Sequence, residues 1–292
     1  MDWRRESGVL NSCDLLDSVN SVSHTYLGSM IAELNLELFG DIQIVDEYAS
    51  KTTLVFGEPT VFRDLGPLIK GKSILDIGVG AGRTTTFILD CKPSRYVGVD
   101  FADNMVEKCR RRFPGVDFRS ADARSLTDFS AGEFDFVMFS WSGIDCVSHE
   151  DRLRVLSEVR RILVPGGVFV FSSANARRIS GPPWSREAMA DLDLKWSVRG
   201  VARAARDFAR GVKNYLLHRR EQVFTKDYVI NLDAAHSYRL LRYNIAPDKQ
   251  AAQLQAAGFG RVRSIDKQGA YRDFNDESLV DTPIYYICEK SA

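Results

Sequence analysis

From residue 72 onward, short apolar runs alternate with amphipathic stretches. Parallel strands buried on both faces leave that signature, because neither face needs polar positions. The pattern predicts strands at 73–77 (SILDI), 96–99 (YVGV), 116–118 (VDF), 134–139 (FDFVMF) and 168–172 (VFVFS). Helices are predicted from Arg83 to Leu89, Asn104 to Arg112 and Glu150 to Leu163, the last stopped by Pro165-Gly166-Gly167. Ahead of this region, Leu27, Met30, Ile31, Leu34 and Leu38 recur at helical spacing, so residues 1–70 read as a helical extension. The alternation stops after Ser173. A closing unit begins at Pro247 with a helix and two strands, 261–266 and 284–290. The organisation expected is an α/β core over 71–176 and 246–292, with an inserted helical lid over 177–245.

Composition narrows the function classes. The chain has 292 residues, 45% of them hydrophobic, with 39 Lys plus Arg against 39 Asp plus Glu. Neutrality argues against whole-surface nucleic-acid binding. Five scattered cysteines, Cys13, Cys91, Cys109, Cys146 and Cys288, form no C-x-x-C pair, which points to a reducing cytoplasm with neither disulfide framework nor structural zinc. The first residues, MDWRRESGVL, lack a signal-peptide core, and no run reaches the length of a membrane-spanning helix.

The segment ILDIGVGAGR, residues 74–83, runs from a strand ending near Asp76 into Gly78, Gly80 and Gly82. Glycines there permit a sharp turn and close backbone approach to a ligand. Asp100 closes the second strand, where a carboxylate can accept hydrogen bonds from two vicinal ribose hydroxyls, and Asp122 follows the third. A dinucleotide fold prefers G-x-G-x-x-G, whereas the loop here is G-x-G-x-G followed by Arg83, so a pyrophosphate reading loses.

In this order the segments resemble a class I S-adenosylmethionine-dependent methyltransferase over roughly residues 70–175 and 247–290. The resemblance implies a seven-stranded, mostly parallel Rossmann-like sheet and S-adenosyl-L-methionine as cofactor. It places Gly78 and Gly80 beneath the methionine part, with Asp76 ordering its amino group, and Asp100 on the ribose. It sets Phe101 or Met105 over the adenine and Asp122 on the adenine amine beside the Ala123 amide, and has Ser140 line the pocket.

Transfer from a sulfonium needs in-line placement and, for a hydroxyl or ammonium acceptor, removal of a proton. Base candidates in SWSGIDCVSHE are His149 and Asp145, and a third is His236, beside Tyr238. A free histidine with a pKa of about 6.5 suits the task, although His149 also reads as a surface residue at a helix start and Asp145 as a turn residue. Trp141, directly after Ser140, is the best-placed aromatic to touch an acceptor. No set of carboxylates suggests a metal. FSWSGID lacks the proline motif of enzymes that methylate exocyclic amines of DNA bases, and Cys146 lacks the Pro neighbour of a pyrimidine C5 nucleophile.

The charge neutrality hides an asymmetry: residues 177–245 carry +7 and the remainder −7. Arg199, Arg203, Arg206, Arg210 and Lys213 fall on one helical stripe beside an apolar one. Three readings stand: a solvated lid face, a grip by arginines such as Arg203 and Arg206 on an anionic acceptor, or contact of 198–216 with a membrane surface. The functional expectation is transfer to oxygen or nitrogen, less readily carbon, of a small biosynthetic acceptor. The alternatives are an RNA-modifying or RNA-binding protein using the basic segment, and a cofactor-binding protein without transfer activity.

Overall fold

A computed structural model describes residues 28–190 and 198–291. The expected alternation is present, and the strands carry the core. β1 (Ser73–Ile77), β2 (Arg95–Asp100), β3 (Asp117–Ser120), β4 (Phe134–Phe139) and β5 (Leu163–Ser173) are mutually parallel. β11 (Ile284–Lys290) runs antiparallel between β5 and β9 (Phe259–Ile265), and β10 (Tyr271–Arg272) is added at the edge. The order is β10-β9-β11-β5-β4-β1-β2-β3, so the sheet has eight strands where seven are expected, the extra one being two residues long.

Between β1 and its two neighbours the chain order reverses. β2 and β3 lie on one side of β1 and β4 on the other, so the loops at the C-terminal ends of β1, β2 and β4 open around one crevice. The crossover helices cover the sheet: α4 (Thr85–Asp90), α5 (Asp103–Arg112) and α6 (His149–Ile162), with α9 (Pro247–Ala256) in the closing unit. α6 shows why the chain turns helical where it does. The Ser148 hydroxyl accepts from the Asp151 amide, Glu150 and Asp151 fill the first turn, and Arg160 and Arg161 the last. It ends at Ile162 and β5 starts at once, so Pro165-Gly166-Gly167 lie within a strand rather than after a helix stop. One cluster, with Leu75, Val97, Val137 and Phe169, buries the sheet against α6 and α9. Another, with Ile74, Phe136, Val170 and Tyr285, packs on Val61, Leu65 and Ile69 of α3 (Glu58–Ile69).

Of the helical extension expected over 1–70, the described part carries α1 over residues 28–40, α2 (Ile42–Ser50) and α3. Leu27 lies outside the described residues. The insert departs from expectation. Besides α7 (Arg186–Ala190) and α8 (Val198–His218), it contains a three-stranded antiparallel sheet, β6 (Val223–Phe224), β7 (Tyr228–Leu232) and β8 (Leu241–Ile245). Alternating burial is weak in such short strands, which hid them from a periodicity reading. Ile31 and Leu34 of α1 pack on Ile230, Leu232 and Tyr243 of this sheet, with Tyr215 of α8 alongside. α1 and the insert thus form one layer over the C-terminal edge of the main sheet, joined to it where the Ile245 amide donates to Ala174 at 3.0 Å. Among the described residues, no helix is long and apolar enough to cross a membrane.

Candidate functional site

The crevice is a cavity of about 570 Å³ that runs from the glycine loop to the underside of α1. Its floor begins at Gly78 and Gly80, both with positive φ (61° and 55°). A Cβ on Gly78 would stand 2.6 Å from the Phe139 ring, so no side chain fits there. At Gly80 the corresponding direction is open, with Tyr48 the nearest group at 3.8 Å. Asp100, 6% exposed, fixes this loop to the second strand: Oδ2 accepts from the Gly80 amide at 2.8 Å and Oδ1 from the Ala102 amide at 2.9 Å. Burial nevertheless outweighs these bonds and pushes its carboxyl up to about 6.

Asp76 lies deeper. Its Oδ2 accepts from Thr84 (2.8 Å) and Tyr96 (3.1 Å), while Oδ1 is buried with no partner, and burial pushes the carboxyl up to about 7. Asp76 thus lies beneath the glycine cradle and off the cavity wall, while the cradle itself presents bare backbone to a ligand. Met105 is buried on the cavity wall and Phe101 is exposed beside it, held edge-on by Phe39 of α1. Asp122, Ala123 and Ser140 also line the cavity. The Asp122 carboxylate is forked by the Arg124 guanidinium, with Nη2 at 2.6 Å from Oδ2. Burial raises this carboxyl, but the Arg124 bonds outweigh it and hold it below the usual range. The structure thus brings eight of the nine expected cofactor residues, all but Asp76, to the wall of one crevice, and this lining fits S-adenosyl-L-methionine: a carboxylate for the ribose, an apolar slot, and a cradle of bare backbone.

Apart from Trp141, the far half of the cavity comes from segments the sequence left unmarked. Asn35, Leu36 and Phe39 of α1, Tyr48 of α2 and Trp141 form it. Trp141 and Ser142 both adopt left-handed backbone conformations (φ 51° and 58°), unusual for residues with side chains. The Ser142 amide donates to Ser172 Oγ at 2.7 Å, which secures the turn. Trp141 then stacks on Tyr48, ring centroids 5.0 Å apart, and lies against the Arg83 guanidinium at 4.7 Å. Arg83 is buried on Glu58, which also accepts from the Tyr285 hydroxyl at 2.7 Å. Asn35 donates to the carbonyls of Cys146 and Leu241, and its Oδ1 is buried without a partner.

Of the base candidates, none lines the cavity, but His236 meets it through Tyr48, which stands on its wall. Its Nε2 lies 3.4 Å from the Tyr48 hydroxyl and its Nδ1 3.4 Å from Asp233 Oδ2. Burial raises the Asp233 carboxyl, but the bond to His236 and the charge of Arg242, 2.9 Å away, outweigh it and hold it low. Asp145 is elsewhere. It is fully buried, accepting from Arg152 (2.7 Å), Ser173 (2.7 Å) and the Ala174 amide (2.6 Å), and it does not line the cavity. Arg152 continues to Gln250 and Gln253 of α9, so this pair joins α6, β5 and α9. His149 also lies off the cavity wall: its Nδ1 is 2.9 Å from the Tyr243 hydroxyl and its ring stacks on Tyr228, tying α6 to the second sheet.

Tyr238 is buried, donates to the Gly181 carbonyl at 3.1 Å and meets Tyr215 edge-on, so it seats α8 rather than facing the cavity. Arg203 and Arg206 are exposed on α8, away from the cavity lining. The arginine grip on an acceptor therefore has no counterpart in the site. Asp233 and Tyr48 were missed by sequence reasoning. Asp233, three residues before His236, carried a faint signal as an Asp–His neighbour pair, and Tyr48 carried none.

Comparison with known proteins gives the same reading of the core. Residues 74–167 match the family model described as a methyltransferase domain. The chain is 33% identical over 131 residues to a fatty-acid O-methyltransferase of Mycolicibacterium smegmatis, covering 44% of this chain and 45% of that protein. It is 34% identical over 112 residues to a phthiotriol/phenolphthiotriol dimycocerosates methyltransferase of Mycobacterium tuberculosis, covering 37% and 38%. The matches span less than half the length of these curated relatives. Among solved structures, a putative S-adenosylmethionine-dependent methyltransferase from Listeria monocytogenes superposes with a TM-score of 0.52 at 16% identity, over 81% of this chain and 97% of that one. One from Mesorhizobium loti gives 0.51 at 19% identity, over 80% and 97%. These two likenesses concern the fold.

Proposed function

We propose that this chain, whose α/β core belongs to the class I S-adenosylmethionine-dependent methyltransferases, moves a methyl group to an oxygen of a small acceptor with an apolar body. Nitrogen is the next choice. The observation that carries this reading is the continuity of the cavity, in which the glycine cradle opens directly onto a chamber walled by Leu36, Phe39, Tyr48 and Trp141. The fatty-acid and phthiotriol substrates in the names of two relatives have the same apolar character. A polar, multiply charged acceptor such as a sugar phosphate is supported less well, because Arg83 and Arg124, the arginines on the wall among the described residues, are each already paired with a carboxylate.

The cofactor, when bound, supplies a methyl group already activated on a sulfonium. What remains for the chain is placement and proton removal. Trp141, pinned between Tyr48 and Arg83, sets the wall against which the acceptor is aligned. Burial pushes the Tyr48 phenol well above its ordinary value, so Tyr48 does not ionise alone. With His236 protonated at Nδ1 toward Asp233, Nε2 is free to accept from the Tyr48 hydroxyl. An acceptor hydroxyl would then give its proton to Tyr48 Oη as Tyr48 gives its own to His236, and Asp233 would stabilise the imidazolium.

The test is release of S-adenosylhomocysteine with fatty acids, long-chain alcohols, sugar phosphates and RNA oligonucleotides offered as acceptors. Turnover is expected with the chain acceptors, and turnover confined to RNA or sugar phosphates would refute the reading. For a hydroxyl acceptor, His236→Ala is expected to lower kcat about 100-fold with little change in cofactor affinity. A carboxylate acceptor, needing no base, is expected to be insensitive. Wild-type rates of His236→Ala on an alcohol would remove the proton path and leave placement alone.

A further inference from the structure

The outward face of α8 is unused by everything described so far. Its inward side packs through Ala204, Gly211 and Tyr215 onto Tyr238 and the second sheet. On the opposite side Arg203, Arg206, Arg210 and Lys213 follow 3-4-3 spacing and are all exposed, and Leu217 continues the same stripe. None of these four cations forms an ion pair with a described residue. Leu216 is 51% exposed, Leu217 63% and, just beyond the helix, Phe224 63%. Between Arg203 and Lys226 the sequence has seven basic residues and two acidic ones.

We infer that this face binds the surface of an anionic lipid bilayer, the arginines meeting phosphate headgroups while Leu216, Leu217 and Phe224 enter the boundary between headgroups and acyl chains. Charge complementarity alone would suit any polyanion. The three large apolar side chains decide for lipid, since they gain nothing against a hydrated phosphate backbone and gain burial in a bilayer. Membrane contact would also set the insert, and the α1 layer packed on it, next to a source of apolar acceptors. The binding itself does not depend on what the cavity methylates.

The experiment is co-sedimentation of the full chain with vesicles of phosphatidylcholine alone and of phosphatidylcholine with phosphatidylglycerol, at low and high salt, beside a polyuridylate binding assay. Binding to the phosphatidylglycerol vesicles is expected, weakened by salt, with little on phosphatidylcholine alone. The pair Arg203→Glu with Arg206→Glu is expected to lower it about tenfold or more. Leu216→Ser with Leu217→Ser is expected to lower it about tenfold through lost insertion. All four positions are exposed and off the cavity, so S-adenosylhomocysteine binding should be retained and serves as the check on folding. Absence of binding to anionic vesicles at low salt would overturn the proposal. Binding that responds to the arginine pair but not to the leucine pair, together with tight polyuridylate binding, would overturn it in favour of nucleic acid.

Discussion

Asp100→Ala is expected to weaken binding of S-adenosylhomocysteine about 100-fold or more in titration calorimetry. The side chain has two tasks. Each oxygen holds a backbone amide, Gly80 on one and Ala102 on the other, and the residue lines the cavity, where two ribose hydroxyls would donate. A hydrogen bond to a charged group contributes about 1.5–3 kcal/mol, so losing two corresponds to at least about 100-fold at about 1.4 kcal/mol per tenfold. Release of the Gly80 amide loosens the cradle as well. The carboxyl stands at about 6 in the folded protein because burial opposes its charge. Hydroxyls that donate to it favour the ionised form, so wild-type affinity is expected to rise as pH passes upward through about 6. Asp100→Asn is expected to lose that dependence. Unaltered binding by the alanine variant would remove the ribose assignment.

Asp145→Ala is expected to fail in a different way, by unfolding. Arg152 and Asp145 are both fully buried and 2.7 Å apart. Removing one partner of such a pair leaves an uncompensated charge, at a cost of about 3–5 kcal/mol. Since folded domains are stable by about 5–15 kcal/mol, the urea midpoint should drop by a large fraction of its value. Replacing both residues, as in Asp145→Leu with Arg152→Met, should recover part of that loss. Cofactor binding by the fraction that remains folded should be close to normal. A variant that kept its midpoint and lost turnover would instead restore Asp145 to the chemistry.

These two carboxylates show how much the sequence could carry. Asp100's place on the cavity wall was legible because it is set locally: it ends a strand in a parallel sheet, and strand ends at the switch in chain order face the crevice whatever the rest of the chain does. The same holds for Gly78, Gly80 and Phe101, and Met105 follows in the first turn of the next helix. Asp145 looked similar, an Asp just after the fourth strand, yet its side chain turns inward to Arg152, seven residues on. Nothing in the local pattern distinguishes an aspartate that faces a cavity from one that neutralises a buried arginine.

The acceptor half was legible only in part, for another reason. Tyr48 and His236 are 188 residues apart in the chain, and they meet because α1 and α2 pack against an insert whose strands are too short to announce themselves. Trp141 was placed correctly beside the cavity, but the reason lies in two consecutive left-handed residues and a buried arginine beneath the ring, none of which is visible as periodicity.

A single cavity serving both cofactor and acceptor is the central claim, and a crystal structure with S-adenosylhomocysteine bound tests it most directly. The ribose is expected on Asp100, the adenine beside Phe101 and Met105, and the sulfur directed at the chamber between Tyr48 and Trp141. A sulfur turned away from that chamber, or a ligand seated outside the Gly78–Gly80 cradle, would contradict it.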